Sequence, residues 1–212
     1  MTFERGYAHR RLYSMIAEWY VSTFYSDMSD SDWLTRFART MPRGSLIADV
    51  GCGPGQFARF FRRMGFRVVS IDLSEKMLEV GKQLDSDLVP VAGDIRFLPL
   101  KSASIDGLLA AYTLEHVYRV EVDIVLAGIR RVLTSAGSVG FMVKCGEGSY
   151  EFGSALAPGE SGFVQLWDLD DFSKKLELAG FETLFVDTKA PVSPHEFNHE
   201  RGFVLARRYS NA

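Results

Sequence analysis

Short apolar runs alternate with amphipathic helical patterns from about residue 46 onward. This order is typical of a parallel β-sheet that is covered by helices on both faces. The first run, from Leu46 to Val50, is followed by Phe57, Phe60, Phe61 and Met64 at the spacing of one helix face. The pattern therefore predicts a doubly wound α/β fold that begins with this strand and helix.

Further strands follow in the same alternation, separated by helices or by long loops. Ser74 and Asp168 are suitable N-caps for two of the helices. Gly180 is suited to end the helix that Asp168 begins, and Gly65 is suited to end an earlier helix. Two glycine- or proline-containing stretches, 145–166 and 188–200, are predicted to be long loops. The predicted strands are residues 46–50, 66–71, 88–92, 104–111, 138–144, 181–187 and 202–208.

The segment before this region has a helical pattern of its own. A helix with one apolar face must pack that face against something, so we expect a helical flank or lid over residues 1–43 and a core over residues 44–212. Both parts belong to one domain, as the length of 212 residues suggests. The apolar positions of the flank are Tyr13, Ile16, Ala17, Tyr20, Val21 and Phe24, with a shorter helix from Trp33 to Phe37.

Charge and composition narrow the range of partners. The formal net charge of −3 gives no general attraction to nucleic acid or to an anionic membrane. The sequence contains neither a secretory signal pattern nor an apolar run long enough to span a bilayer. Cys52 and Cys145 are the two cysteines, which is too few for a disulfide framework and fits a cytoplasmic protein with free thiols. No feature of the sequence indicates the oligomeric state.

A glycine-rich loop follows the first strand. Gly51, Gly53 and Gly55 would let the backbone turn sharply and approach a ligand at the start of the next helix. The nicotinamide-binding pattern requires a third glycine where Gln56 stands, and no Gly-Lys-Ser/Thr triplet of a P-loop follows. Asp72 ends the second strand, where an acid can accept hydrogen bonds from both ribose hydroxyls. The pattern favours an adenosine ligand without a 2′-phosphate.

Five segments carry a resemblance to a known family: DVGCGPG, IDLSEKML, AGDIRFLPL, LEHV and AGFE. Together they resemble the class I S-adenosylmethionine-dependent methyltransferases of the small-molecule type, over most of the chain from about Leu46 to Arg208. The resemblance implies a Rossmann-like sheet of seven strands in the order 3-2-1-4-5-7-6, six of them parallel and the last antiparallel. It also implies S-adenosyl-L-methionine as the cofactor and methyl transfer to a small molecule as the reaction.

The resemblance assigns two parts of the cofactor to the ends of the first two strands. Asp49, Gly51, Cys52 and Gly53 would surround the methionine part. Asp72 would hold the ribose. An aspartate at a strand end is also a common turn former, so the assignment depends on these residues occurring together.

The adenine would lie against apolar and polar residues from the next segments. Leu73 and Met77 match the residues that sandwich the ring, although Met77 is equally suited to a core position. Asp94 and Ile95 match the pair that contacts the adenine edge. Ala111, at the end of the fourth strand, matches a backbone carbonyl near the cofactor's amino group.

His116 in the LEHV segment is the candidate catalytic residue. Histidine is suited to removing a proton from an acceptor at neutral pH, but a histidine here can equally serve packing or hydrogen bonding. Tyr20 is a candidate cofactor contact, because aromatic rings attract a sulfonium cation. Tyr13 and Tyr112 are further candidates to line the cleft. His195 and His199 lack a third ligand nearby, so no metal site is expected.

Three alternatives remain open from the sequence. The chain could bind the cofactor without catalysis, as a sensor or docking protein. It could methylate a macromolecule, with RNA disfavoured by the net negative charge. A nicotinamide oxidoreductase is disfavoured by Gln56. The acceptor itself, and whether oxygen, nitrogen or carbon is methylated, is not encoded in any recognisable motif.

Overall fold

A computed structural model describes residues 2–210 and contains nine β-strands and seven α-helices in that range. The strands are β1 (Leu46–Val50), β2 (Arg67–Asp72), β3 (Pro90–Ala92), β4 (Ile105–Ala111), β5 (Leu133–Lys144), β6 (Ser149–Ser154), β7 (Ala157–Gln165), β8 (Phe181–Lys189) and β9 (Arg201–Arg208). The helices are α1 (Thr2–Met15), α2 (Ala17–Phe24), α3 (Ser31–Ala38), α4 (Gln56–Arg63), α5 (Glu75–Leu84), α6 (Val122–Val132) and α7 (Leu169–Leu178).

Seven of the described strands form one sheet in the order β3-β2-β1-β4-β5-β9-β8. β9 is antiparallel to both of its neighbours, whereas the pairs among β1 to β5 are parallel. With β8 and β9 counted as strands six and seven, the predicted order and the predicted single antiparallel strand are confirmed. β1 lies between β2 and β4, so the chain switches direction beside β1, which is where ligands bind in such sheets.

Each face of the sheet has its own apolar core. On one face, α6 and α7 pack over Phe141 and the buried Trp167. On the other face, Trp33 and Phe37 of α3 join the core together with Phe61 of α4. α3 approaches closely because Gly140 has no side chain: a Cβ there would lie 2.6 Å from Trp33. The short helix that the sequence predicts from Trp33 to Phe37 is therefore part of the packed core.

The predicted helix ends agree with the structure. The Ser74 hydroxyl accepts the backbone N–H of Met77, and the Asp168 carboxylate accepts that of Asp171. Both residues thus satisfy backbone donors that would otherwise be unpaired at a helix N-terminus. Gly65 has φ +92°, the left-handed conformation that ends a helix most easily with glycine.

Four predicted boundaries were wrong. The region 145–166 is not one loop, because β6 and β7 form an antiparallel hairpin within it. β8 continues to Lys189, which shortens the second loop to residues 190–200. The apolar stripe of the flank is divided into two helices at Ile16, whose ψ of 8° leaves the helical range. β5 begins at Leu133, earlier than predicted, because the chain after α6 pairs with β4 at once.

Two findings concern the environment of the chain. Within residues 2–210, no helix is both long and apolar enough to cross a bilayer. Cys52 and Cys145 are both free thiols, as predicted, and burial raises the pKa of Cys145 to about 11. The Cys145 thiol is therefore protonated at neutral pH.

Candidate functional site

A cavity of about 410 Å³ lies at the carboxyl ends of β1, β2 and β4. Its size is within the usual range for small-ligand sites. Ten residues predicted for the site line it, whereas Asp49 and Cys52 are buried behind its wall and do not. The ten are Tyr20, Gly51, Gly53, Asp72, Leu73, Met77, Asp94, Ile95, Ala111 and His116.

Asp72 is fixed in place by the backbone. Its Oδ2 accepts the N–H of Gly53 and its Oδ1 accepts the N–H of Ser74, each at 2.8 Å. A carboxylate oxygen has two lone pairs, so each oxygen retains one for a ligand. Burial raises the pKa of Asp72, and the backbone N–H groups of Ser74, Gly53 and Leu73 oppose that rise. The side chain is thus a held acceptor for two hydroxyl donors.

The glycine loop places backbone atoms without side chains at the cavity wall. Gly51 has φ +68° and packs under Thr113, so closely that a Cβ at Gly51 would lie 2.0 Å from Thr113 Oγ1. Gly53 differs, because its nearest neighbour on that side is a Tyr20 ring carbon at 3.6 Å. The absence of a side chain at Gly53 therefore keeps space free between the loop and Tyr20.

Asp49 supports the loop from inside the core. It is 1% exposed and its Oδ2 has no hydrogen-bond partner among the described residues. Burial raises its pKa to about 7, with a further rise from the charge of Asp72, while the backbone N–H of Ala58 lowers it. Two neighbouring buried carboxylates rarely both ionise, so Asp72 is the one that holds the charge facing the cavity.

Apolar side chains and one ion-pair network line the cavity near the ends of β2 and β3. The apolar side chains are those of Leu73, Met77 and Ile95. Asp94 is already engaged: it accepts the Arg96 backbone N–H at 2.9 Å and pairs with the Arg96 guanidinium at 2.6 Å. A contact from Asp94 to an adenine would therefore use the remaining lone pairs of its carboxylate.

His116 lies at the inner end of the cavity, with both ring nitrogens in use. Its Nδ1 faces the carbonyl oxygen of Phe163 at 3.1 Å, and its Nε2 is 2.9 Å from the Tyr13 hydroxyl. A carbonyl only accepts, so Nδ1 carries the proton and Nε2 accepts the Tyr13 O–H. Burial lowers the pKa of His116 to about 3, and nearby His9 lowers it further. The ring is neutral at neutral pH and positions Tyr13.

Charged residues that the sequence analysis missed also line this end. Lys144 forms an ion pair with Glu196 from loop 190–200. Arg201 donates to Asp30 at 2.7 Å, and Asp30 also accepts the hydroxyl of Tyr112 at 3.0 Å. These residues lie on separate elements with no shared motif, so only the folded chain brings them together.

Tyr112 adopts a strained backbone conformation directly after β4. Its φ of +55° lies in the left-handed region, which is uncommon for a bulky residue. The backbone N–H is held by the carbonyl of Met142 at 2.8 Å, which helps to keep this conformation. Strained residues of this kind concentrate at functional sites.

Comparison with known proteins points to a methyltransferase family. Residues 48–141 match the family model described as "Methyltransferase domain". This match, the curated relatives and the structural neighbours support a class I S-adenosylmethionine-dependent methyltransferase. The matched segment begins within β1 and ends within β5, so it contains the glycine loop, Asp72, Asp94 and the LEHV segment.

A curated relative shows similarity over about half of the chain. The malonyl-(acyl-carrier protein) O-methyltransferase of Erwinia billingiae is 31% identical over 119 residues, which are 56% of this chain and 47% of that protein. The matched segments span less than half of the length of the first curated relatives, at 37% and 43% for two others of the same name. Their activity is therefore a guide to a proposal only.

Solved methyltransferase structures share the fold of this chain. A methyltransferase from Methanosarcina mazei superposes with a TM-score of 0.74 at 13% identity, covering 82% of this chain and 96% of its own. The 1,6-didemethyltoxoflavin-N1-methyltransferase of Burkholderia thailandensis, solved with S-adenosylhomocysteine, has a TM-score of 0.67 at 17% identity, with coverages of 92% and 88%. The family match and the structural neighbours support S-adenosyl-L-methionine as the cofactor of this chain.

The cavity fits that cofactor on its own chemistry. An adenosyl group requires an acceptor for its ribose hydroxyls, and Asp72 has lone pairs available for them. A sulfonium with a charged amino-acid tail requires close backbone approach and aromatic neighbours, which Gly53 and Tyr20 offer. Leu73 and Met77 provide an apolar surface for a ring.

Proposed function

We propose that this protein transfers a methyl group from S-adenosyl-L-methionine to a small-molecule acceptor, acting as one domain over residues 1–212. The observation that carries the proposal is a single cavity that joins Asp72 and the glycine loop to a covered inner end. The helical flank and the hairpin of β6 and β7 form part of this cover, since Tyr13, Trp19 and Phe152 line it.

The residues of the chain would hold the cofactor in the following way. Asp72 accepts the ribose hydroxyls, Leu73 and Met77 pack against the adenine, and the backbone at Gly51 and Gly53 approaches the methionine part. When bound, the cofactor supplies an activated methyl group, so the protein's remaining task is to orient the acceptor and exclude water. Ile95, Asp94, Ala111 and Tyr20 remain proposed contacts, whereas the positions of Asp49 and Cys52 favour a supporting role behind the wall.

The covered inner end favours a small acceptor. Helix α1 packs against β7 and α5, α2 packs against α5, and both helices contribute side chains to the cavity wall. The aromatic side chains Tyr13, Tyr20 and Phe24 form its lining there. An acceptor must fit inside this lining, which suits a small molecule or a short group attached to a carrier.

A carrier-bound acyl group is the second candidate acceptor. Its support is the name shared by the curated relatives, which act on malonyl-(acyl-carrier protein). Two buried cations, Lys144 and Arg201, lie in the cavity wall where an acidic acyl group would enter. Each is already paired, with Glu196 and Asp30 respectively, which favours a different acceptor.

The test uses methyl-tritiated S-adenosylmethionine with separate small-molecule and protein fractions of a bacterial lysate. We expect label to enter the small-molecule fraction with the wild type and not with Asp72→Ala. Label in the protein fraction, at the mass of an acyl carrier, would favour the second candidate. Binding of S-adenosylhomocysteine by calorimetry without any label transfer would support the non-catalytic alternative and contradict the proposal.

A further inference from the structure

Glu115 is a buried carboxylate that faces the cavity next to His116. It lies in the 3₁₀ turn Leu114–His116, directly beyond the end of β4, and is 2% exposed. The backbone N–H of Lys144 donates to its carboxylate, but Oε1 has no hydrogen-bond partner among the described residues. An unpaired acceptor in a buried site costs free energy, which a ligand that donates to it would recover.

The residues around Glu115 do not neutralise it. The ammonium group of Lys144 acts on Glu115, but it pairs with Glu196 rather than with Glu115. Burial raises the pKa of Glu115 to about 8, Lys144 opposes the rise and Glu196 adds to it. Glu115 lines the same cavity as residues of the flank, of the turn after β4 and of the hairpin: Tyr13, Tyr20, Tyr112 and Phe152.

His116 is less suited than Glu115 to receive a proton. Its Nε2 lone pair accepts the Tyr13 hydroxyl and its Nδ1 proton is given to the Phe163 carbonyl. A proton arriving at Nε2 would have to displace the Tyr13 hydrogen bond and create a buried cation beside His9. Glu115 Oε1 has a free lone pair and becomes neutral when it takes a proton, which burial favours.

We propose that Glu115 removes the proton of the methyl acceptor, so that the acceptor is a hydroxyl or an amine with a hydrogen on its attacking atom. This inference rests on the proposed function. The acceptor forms a bond to the methyl carbon, the carbon–sulfur electron pair remains on sulfur, and the acceptor's proton passes to Glu115 Oε1. S-adenosylhomocysteine, methylated acceptor and protonated Glu115 are the balanced products.

A proton acceptor at Glu115 favours a hydroxyl or an amine over a carboxylate as the methyl acceptor. A carboxylate acceptor, such as a malonyl group, has no proton to give and would place a second negative charge beside Glu115 once Glu115 ionises near pH 8. Like charges in a buried site repel each other strongly. A hydroxyl or an ammonium group instead donates a hydrogen bond to the unpaired Oε1.

Binding of sinefungin tests this without knowledge of the acceptor. Sinefungin carries an amine-bearing carbon where the cofactor has its methylsulfonium, so it presents a donor toward the acceptor side. Calorimetry would compare sinefungin with S-adenosylhomocysteine for the wild type, Glu115→Gln and the control Glu75→Gln, whose side chain is exposed on α5. Titrations at about pH 6.5 and about pH 8.5 cover the ionisation of Glu115.

We expect the wild type to prefer sinefungin by about tenfold or more at the higher pH, a ratio typical of one charge-assisted hydrogen bond. The preference should shrink at the lower pH and nearly vanish in Glu115→Gln, while Glu75→Gln behaves as the wild type. Affinity for S-adenosylhomocysteine should change by less than about threefold in all variants. These binding ratios would not move if Glu115 had only a structural role.

Two results would overturn the inference: a wild type that shows no preference, or a Glu115→Gln variant that keeps it. Thermal unfolding checks that Glu115→Gln is folded; if it is not, Glu115→Asp replaces it and should retain the pH dependence with a weaker preference. Absence of S-adenosylhomocysteine binding in the wild type would instead reject the proposed function itself.

Discussion

Replacing Asp49 with asparagine should change how stability depends on pH. Asp49 is buried in β1, and its pKa is raised from 3.8 to about 7, mainly by burial and then by Asp72. A raised carboxyl pKa means that the folded state holds a proton that the unfolded state releases. The contribution of Asp49 to the free energy of unfolding is therefore largest below about pH 4 and decreases until the pH reaches about 7. At about 1.4 kcal/mol for each pH unit, the loss amounts to about 4 kcal/mol.

Urea unfolding of the cofactor-free protein at a series of pH values measures this loss. The free energy of unfolding of Asp49→Asn minus that of the wild type should rise by about 4 kcal/mol between about pH 4 and about pH 7.5, then level off. The variant Asp87→Asn, at an exposed loop position, should follow the wild type at every pH. A difference between Asp49→Asn and the wild type that does not vary with pH would refute the reasoning.

Three further substitutions test the packing and the ion pairs around the site. Gly81→Ala in α5 would place a Cβ 2.6 Å from the carbonyl oxygen of Pro54, so we expect a loss of about 1–3 kcal/mol in urea unfolding and weaker cofactor binding. In the matched change Gly128→Ala in α6, the new Cβ meets no atom within 4 Å and should raise the free energy of unfolding by about 0.5–1 kcal/mol. Equal effects at the two glycines would contradict the close packing of Gly81 against Pro54. Asp30→Ala leaves the buried Arg201 without its carboxylate partner and should lower the free energy of unfolding by about 3–5 kcal/mol. An unfolding midpoint like that of the wild type would contradict a stabilising role for this ion pair.

The central part of the fold could be predicted because local signals and global topology agree there. β1 is a short apolar run that ends at a glycine turn, α5 begins at a hydroxyl N-cap, and Gly65 ends α4. Each signal is confined to a few residues, and each points to the same alternation of strand and helix. The strand order followed from the family resemblance rather than from these residues.

The hairpin of β6 and β7 could not be predicted, because its residues lack the usual strand pattern. β6 alternates exposed and half-buried residues, and Gly153 and Gly159 interrupt the hairpin where β-branched residues would be expected. Its order comes from tertiary contacts instead: His9 of α1 hydrogen-bonds to the backbone of Phe163, and Arg11 pairs with Glu160. Such contacts join residues about 150 positions apart and leave no local signal.

The cofactor side of the site was more predictable than the acceptor side, for a physical reason. Gly51, Gly53 and Asp72 follow strand ends that share one edge of the sheet, so topology alone brings them together. Lys144 and Glu196 meet only because loop 190–200 folds back over the end of β5. Glu115 stood in the LEHV motif, but only the folded structure shows that its Oε1 is unpaired while both ring nitrogens of His116 are in use.

Calorimetric titration of S-adenosylmethionine into the wild type, Asp72→Ala and the exposed control Asp87→Ala measures whether Asp72 holds the cofactor, with circular dichroism to confirm the fold. We expect binding by the wild type and the control and a loss of at least about tenfold in affinity for Asp72→Ala, since we propose that its carboxylate holds the ribose and it orders the loop at Gly53. Unchanged affinity in a folded Asp72→Ala protein would contradict this proposal.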